Sequence, residues 1–297
     1  MISIQRILCP IDFSEFSRRA LDHAVSIAKW YDAALTVLHV VAPVVPPSPT
    51  DDASLWPAIA LTADDLKQFE AAAADFVRME VGDVPITVTV RQGSIVGEIV
   101  ELAETWSADL LVVGTHGRSG FDRLMLGSVA ERVLRKAACP VLTVPRRIPD
   151  VVRTDGLFKR ILCTVDFSPS SMKALSYATA LAEEADAKLT MMHVVEHNVF
   201  EPAALAGIEL SDDGGIQAAA LRRLHEAVAS DVRTYADVDE IAVVGKPYRE
   251  ILRRADENRA ELIVLGAHGG GVGAIAFGST TDHVVRQARC PVLTLKA

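Results

Sequence analysis

The chain has 297 residues, 50% of them hydrophobic and 23% charged, with a formal net charge of −9. Its length accommodates two domains of ordinary size, each with its own core, and its composition excludes a disordered chain. The negative balance argues against non-specific binding of a phosphate backbone, and no apolar run reaches the roughly 18 residues of a membrane span.

The first residues, Met1 to Ile7, lack the basic, apolar and small-residue sections of a signal peptide, so a cytoplasmic protein engaging neither nucleic acid nor membrane is expected. Gln5–Ile11 is then a β-branched run closed by Pro10 and Asp12. Ser14 offers an N-cap, and Ala20, Leu21, Ala24, Val25 and Ala28 recur at helical spacing. Strands follow at Ala34–Val40, Ile86–Val90, Leu110–Val113 and Pro140–Val144, with helices at about Asp64–Val81, Val96–Trp106 and Ser128–Ala138. A long proline-rich connection, Pro43–Pro57, leaves the second strand. Connections of that length are lids, binding loops or solvated insertions.

From Arg160 the pattern starts again. Arg6-Ile-Leu-Cys-Pro-Ile-Asp-Phe-Ser14 returns as Arg160-Ile-Leu-Cys-Thr-Val-Asp-Phe-Ser168, an offset of 160 − 6 = 154. Leu38-His-Val-Val41 returns as Met192-His-Val-Val195, Gly114-Thr-His-Gly117 as Gly266-Ala-His-Gly269, and Cys139-Pro-Val-Leu-Thr143 as Cys290-Pro-Val-Leu-Thr294. Several blocks in one order mean that a whole domain is duplicated. The expected boundaries are 1–146 and 158–297, with 147–157 as a linker rich in proline and charge. Pro169 favours a helix start after Ser168, and Glu196–Gly215 reads as the counterpart of the long loop. Leu110–Val113 and Leu262–Leu265 are continuously apolar, as strands covered on both faces must be. Alternating strand and helix predicts an α/β, doubly wound parallel sheet in each half.

Ligands of such sheets sit at the carboxyl ends of strands where the strand order reverses. Asp12 and Asp166 follow the first strand of each half. Such a carboxylate can accept from a ribose hydroxyl or a base amino group; taken alone, it reads first as an aspartate facing a helix dipole. After the fourth strand stands Gly114-Thr-His-Gly-Arg-Ser-Gly-Phe-Asp-Arg-Leu-Met-Leu-Gly-Ser128. Its glycines permit close backbone approach and φ > 0. Gly127 and Ser128 open a helix whose free N–H groups suit phosphate, and Arg118 can neutralise phosphate charge. The Ser128 hydroxyl can donate to phosphate or bind a phosphate-held Mg²⁺. A plain turn with an N-cap is the alternative.

Gly114-x2-Gly117-x9-Gly127-Ser128 after the fourth strand, with an aspartate after the first, resembles the nucleotide-binding signature of universal stress proteins. Ser128-Val-Ala-Glu-Arg-Val-Leu-Arg135 and Cys139-Pro-Val-Leu-Thr-Val144 are similar to that family too. The resemblance spans nearly all of both halves. It implies two five-stranded parallel sheets of order 3-2-1-4-5, flanked by helices and packed as a pseudo-dimer through their apolar fifth strands. It also implies ATP, with Mg²⁺. By position, Pro10, Asp12 and Val40 would meet adenine and ribose, and Gly114 the ribose. His116, Gly117, Arg118, Gly127, Ser128 and the Val129 backbone would surround the phosphates. In the second half Asp166, Val194, Gly266, Gly269, Gly278, Ser279 and Thr280 match. There the spacing is 278 − 269 − 1 = 8 residues rather than 127 − 117 − 1 = 9, and Gly270 replaces Arg118, so a weaker site is expected.

His39 with His193, and His116 with His268, also repeat. Strand ends one strand apart lie roughly 10 Å from each other, too far for one zinc, so these read as histidines near phosphate or bonded to backbone. The cysteines Cys9, Cys139, Cys163 and Cys290 form no CxxC pair and adjoin apolar runs, as buried small hydrophobes do. No P-loop motif, nucleophile elbow or paired nucleophile and base stands out. Three function classes follow: a nucleotide-dependent stress-response regulator acting on a protein partner, a slow ATPase, or a nucleotide-independent scaffold. A homodimer of whole chains is compatible with each, with no surface fixed for it.

Overall fold

The structure, a computed structural model, describes residues 2–43, 62–78, 84–115, 126–146, 158–196, 213–227, 237–267 and 278–297. The expected linker 147–157 and most of the two long loops lie outside them. The chain divides into two compact units, one of residues 3–146 and the other of residues 147–297 together with 1–2.

The first unit runs β1 (Arg6–Ile11), α1 (Glu15–Tyr31), β2 (Ala34–Val41), α2 (Ala63–Arg78), β3 (Ile86–Gln92), α3 (Ile95–Thr105), β4 (Leu110–Gly114), α4 (Ser128–Lys136) and β5 (Val141–Val144). The second runs β6 (Arg160–Thr164), α5 (Pro169–Ala185), β7 (Lys188–Val195), α6 (Asp213–Glu226), β8 (Val238–Val244), α7 (Pro247–Glu257), β9 (Leu262–Gly266), α8 (Ser279–Gln287) and β10 (Val292–Leu295). All described pairings within a unit are parallel. The orders are β3-β2-β1-β4-β5 and β8-β7-β6-β9-β10, the expected 3-2-1-4-5 in each.

Local chemistry explains the element ends. The Ser14 side chain caps α1 by accepting from the Ser17 N–H, and Ser168 caps α5 likewise from Ser171, with Pro169 in the first turn. Both helices stop at an aspartate in the left-handed region, Asp32 (φ 51°) and Asp186 (φ 47°). Ala20, Ala24 and Ala28 put small side chains on the buried face of α1, so the helix lies close on the sheet. Ile7, Leu8 and Cys9 of β1 and Leu111 and Val112 of β4 are fully buried, which is why these strands read as unbroken apolar runs.

Some boundaries differ from the sequence reading. β5 and β10 begin one residue after their prolines, which have no N–H for a ladder. Pro140 and Pro291 still use their carbonyls, accepting from Leu111 and Ile263 N–H at 3.0 Å each. α6 starts at Asp213, so Gly214 and Gly215 are helical rather than loop. They sit in a first turn, where a glycine's cost of about 1 kcal/mol is offset by packing further along.

Because β1 lies between β2 and β4, the strand order reverses there. The flanking helices diverge to opposite faces and leave a crevice at the carboxyl ends of β1 and β4.

Candidate functional site

On one side of the crevice, β1 runs into Asp12, Phe13 and Ser14. Asp12 Oδ1 accepts from the Ser14 N–H at 3.1 Å and the Ser14 hydroxyl at 2.5 Å, which fixes the carboxylate on its own turn. Phe13 between them has φ 63°, a left-handed conformation costing a residue with a side chain roughly 1–2 kcal/mol. One strand over, His39 is buried and its Nδ1–H donates to the Ile11 carbonyl at 2.9 Å; a carbonyl only accepts, so that nitrogen carries the proton. His193 does the same toward Val165 at 2.6 Å. These two are strand-end histidines bonded to backbone. Among the described residues no three His, Cys, Asp or Glu side chains cluster as a metal site would need.

On the other side, β4 ends at Gly114. The Thr115 carbonyl accepts from the Gly127 N–H at 2.7 Å, closing the loop at its base. α4 opens with Gly127 as N-cap and no side-chain cap. The N–H groups of Ser128, Val129 and Ala130 have no intrahelical acceptor, and they stand at the positive end of the helix dipole. Gly127 has φ −57° and ψ 138°, open to any residue. Its backbone therefore does not need glycine; what its missing side chain leaves is space.

Between the two sides lies a cavity of about 320 Å³. Pro10, Asp12, Val40, Gly114, Gly127, Ser128 and Val129, all singled out in the sequence, line it together. His116, Gly117 and Arg118 lie outside the described residues. Residues not singled out complete the wall: Ile11, Ser17, Leu38, Ile95, Ile99, Val113 and Ala130. Ile95, 36% exposed, stands one helical turn from Ile99 at the start of α3 and forms an apolar lip. No signal in the sequence marked them, since an isoleucine that lines a cavity is written like one that lines the core. The cavity thus has apolar walls, one carboxylate and a helix N-terminus.

The second unit repeats the frame with changes. Asp166 Oδ1 accepts from the Ser168 N–H at 3.0 Å and its hydroxyl at 2.5 Å. Val194 lies on β7, Gly266 ends β9, and the N–H of Gly278 donates to the Ala267 carbonyl at 3.0 Å before Ser279 and Thr280 open α8. Gly269 lies outside the described residues. Where the first unit has Ala130, the second has Thr281, whose hydroxyl donates to the Gly266 carbonyl at 2.9 Å. A Cβ on Gly266 would come within 2.8 Å of the Ser171 nitrogen, so this glycine is needed for the close approach of α5. Met192 and Leu265 stand where Leu38 and Val113 line the first cavity.

The three buried thiols are chemically quiet. Burial pushes those of Cys9 and Cys163 far up, with Asp22 adding to the effect on Cys9, and burial with Asp256 pushes Cys290 up to about 12. Cys139 is half-buried. No helix among the described residues is long and apolar enough to cross a membrane.

The sequence model of the universal stress protein family matches residues 3–145 and again 157–296. A universal stress protein of Methanocaldococcus jannaschii is 39% identical over 144 residues, covering 48% of this chain and 82% of the relative. One from Mycobacterium tuberculosis (strain H37Rv) is 28% identical over 300 residues, 98% of this chain and 96% of the relative. Among solved structures, a universal stress protein from Archaeoglobus fulgidus aligns over 98% of both chains with a TM-score of 0.69 at 24% identity, a likeness of fold.

Proposed function

The chain belongs to the universal stress protein family, as a tandem pair of its domains, and from that premise we propose that its first half binds ATP, with Mg²⁺, in the cavity between β1 and β4. The observation that carries this is the distribution of chemistry along that cavity. Val40, Ile95 and Ile99 offer apolar walls of the kind a base occupies. Asp12, with Oδ1 held by Ser14, suits a ribose hydroxyl as acceptor. The opposite end is a helix N-terminus without a side-chain cap, where phosphate is favoured by both hydrogen bonding and dipole. Ser128 would hold a phosphate-bound Mg²⁺, and Arg118 would neutralise charge. A volume of about 320 Å³ falls at the lower end of small-molecule sites.

On this reading the protein is a cytoplasmic regulator whose nucleotide state alters contacts with a protein partner. No P-loop motif and no paired nucleophile and base stand in the sequence, so on this reading turnover is slow at best. The test is mass spectrometry of small molecules released on denaturing the purified protein, with phosphate release measured alongside. Recovery of no nucleotide, together with no binding of added MgATP, would overturn the reading. For the second half a specific observation favours the scaffold alternative: the Thr281 hydroxyl bonded to Gly266 takes up space that Ala130 leaves open in the first.

A further inference from the structure

Strained residues persist only where their surroundings over-determine them. Phe13 (φ 63°) and Phe167 (φ 62°) are strained at the same place in both halves, directly after the aspartate. Neither is a glycine or asparagine, so something must hold the turn. In the first half His39, paired in register with Ile11, donates to the Ile11 carbonyl and lays its ring against Phe13 with centroids 4.4 Å apart. In the second, His193 donates to Val165 and stands 4.8 Å from Phe167. The outer bracing differs. Phe76 of α2 meets Phe13 edge-on at 5.6 Å, whereas the Arg223 guanidinium of α6 lies 3.9 Å over Phe167. The histidine–phenylalanine pair is what the halves share.

We propose that His39, acting with Phe13, is a positioning residue for Asp12. One side chain grips both neighbours of the aspartate, Ile11 by its carbonyl and Phe13 by its ring, so the Asp12 side chain leaves the backbone in a fixed direction toward the cavity. Ser14 then fixes Oδ1. The ligand finds its acceptor already ordered, which spares the entropy of ordering it. The effect on nucleotide rests on the proposed function; the effect on the turn does not.

The test uses the full chain. His39→Phe keeps a ring but removes the donor, and His39→Asn keeps a donor at the same reach. Hydrogen exchange across residues 9–19 reads the turn directly. His39→Phe speeds exchange at the Ser14 and Ser17 amides by about ten-fold, and His39→Asn restores most of the protection. ATP titration of His39→Phe, Asp12→Ala and the double variant then reads the consequence. His39→Phe weakens binding by about ten-fold in the wild-type background and adds nothing once Asp12 is alanine. Unchanged exchange in His39→Phe, or losses that simply add in the double variant, overturns the proposal. If the wild-type chain binds no ATP, the nucleotide reading falls, and the exchange comparison alone decides the clamp.

Discussion

Gly127 is valuable for the volume it leaves empty rather than for any backbone freedom, since its φ and ψ are ordinary. In Gly127→Val a branched side chain enters the phosphate end of the cavity while the helix start keeps its geometry. ATP affinity should fall by about 100-fold, near 3 kcal/mol, with the melting temperature almost unchanged. Calorimetric titration of the full chain checks this, and unaltered affinity would remove phosphate from that end. The cysteines make a second prediction at this scale. Thiolate is the reactive form, and burial opposes it at Cys9, Cys163 and Cys290. At pH 8 a thiol reagent should modify Cys139 alone in the native protein and reach the other three only after denaturation. Rapid native modification of more than one thiol would contradict the burial of Cys9, Cys163 and Cys290.

At the scale of elements, the turn between β1 and α1 joins two tasks in one side chain. Ser14 caps α1 and anchors Asp12. Ser14→Ala should cost about 1 kcal/mol of stability, as loss of a cap does, and also weaken ATP binding. Ser168→Ala should cost similar stability while leaving most of the chain's ATP binding in place. Equal loss of binding from the two would place the principal site in neither half. The duplicated blocks Arg6–Ser14 and Arg160–Ser168 made the strand-to-helix joints legible, because their caps are written in the sequence. Asp12 stands in the same repeated block, whereas Gly127 and Ser128 were marked by the Gly-x2-Gly-x9-Gly-Ser spacing after the fourth strand. Ile95, Ile99 and Leu38 were not, since an apolar residue facing a ligand is spelled like one facing the core. The left-handed Phe13 was invisible as well. Its conformation is imposed by His39 from another strand, and no local residue preference announces it.

For the whole molecule, duplication supplies an internal comparison. The halves share strand order, the Ser14 and Ser168 caps, the histidine–carbonyl bond and the aspartate turn, so a difference in binding belongs to the positions where they diverge. Arg118 against Gly270, Ala130 against Thr281 and the loop length all favour the first half. One charge-assisted bond to phosphate contributes about 1.5–3 kcal/mol, a ten-fold or greater difference in affinity. In separate titrations Asp12→Ala should therefore remove most of the ATP binding and Asp166→Ala little of it. The reverse result would move the principal site to the second half.

The hydrogen bonds from Gly127 to Thr115 and from Gly278 to Ala267 have a further consequence. Each is a buckle, and the chain between its ends is a strap of eleven residues (116–126) or ten (268–277). Lengthening a fastened strap from ten to eleven changes the closure entropy by only about 0.1 kcal/mol, well below thermal energy. Strap length is thus nearly free for the fold and can be set by whatever the strap must reach. The two straps should accordingly be interchangeable parts. Transplanting 116–126 between Ala267 and Gly278 should leave the melting temperature within a degree or two. If the short strap is what weakens the second half, the transplant alone brings ATP stoichiometry toward two per chain; if Thr281 is the obstacle, it does so only when Thr281→Ala is added.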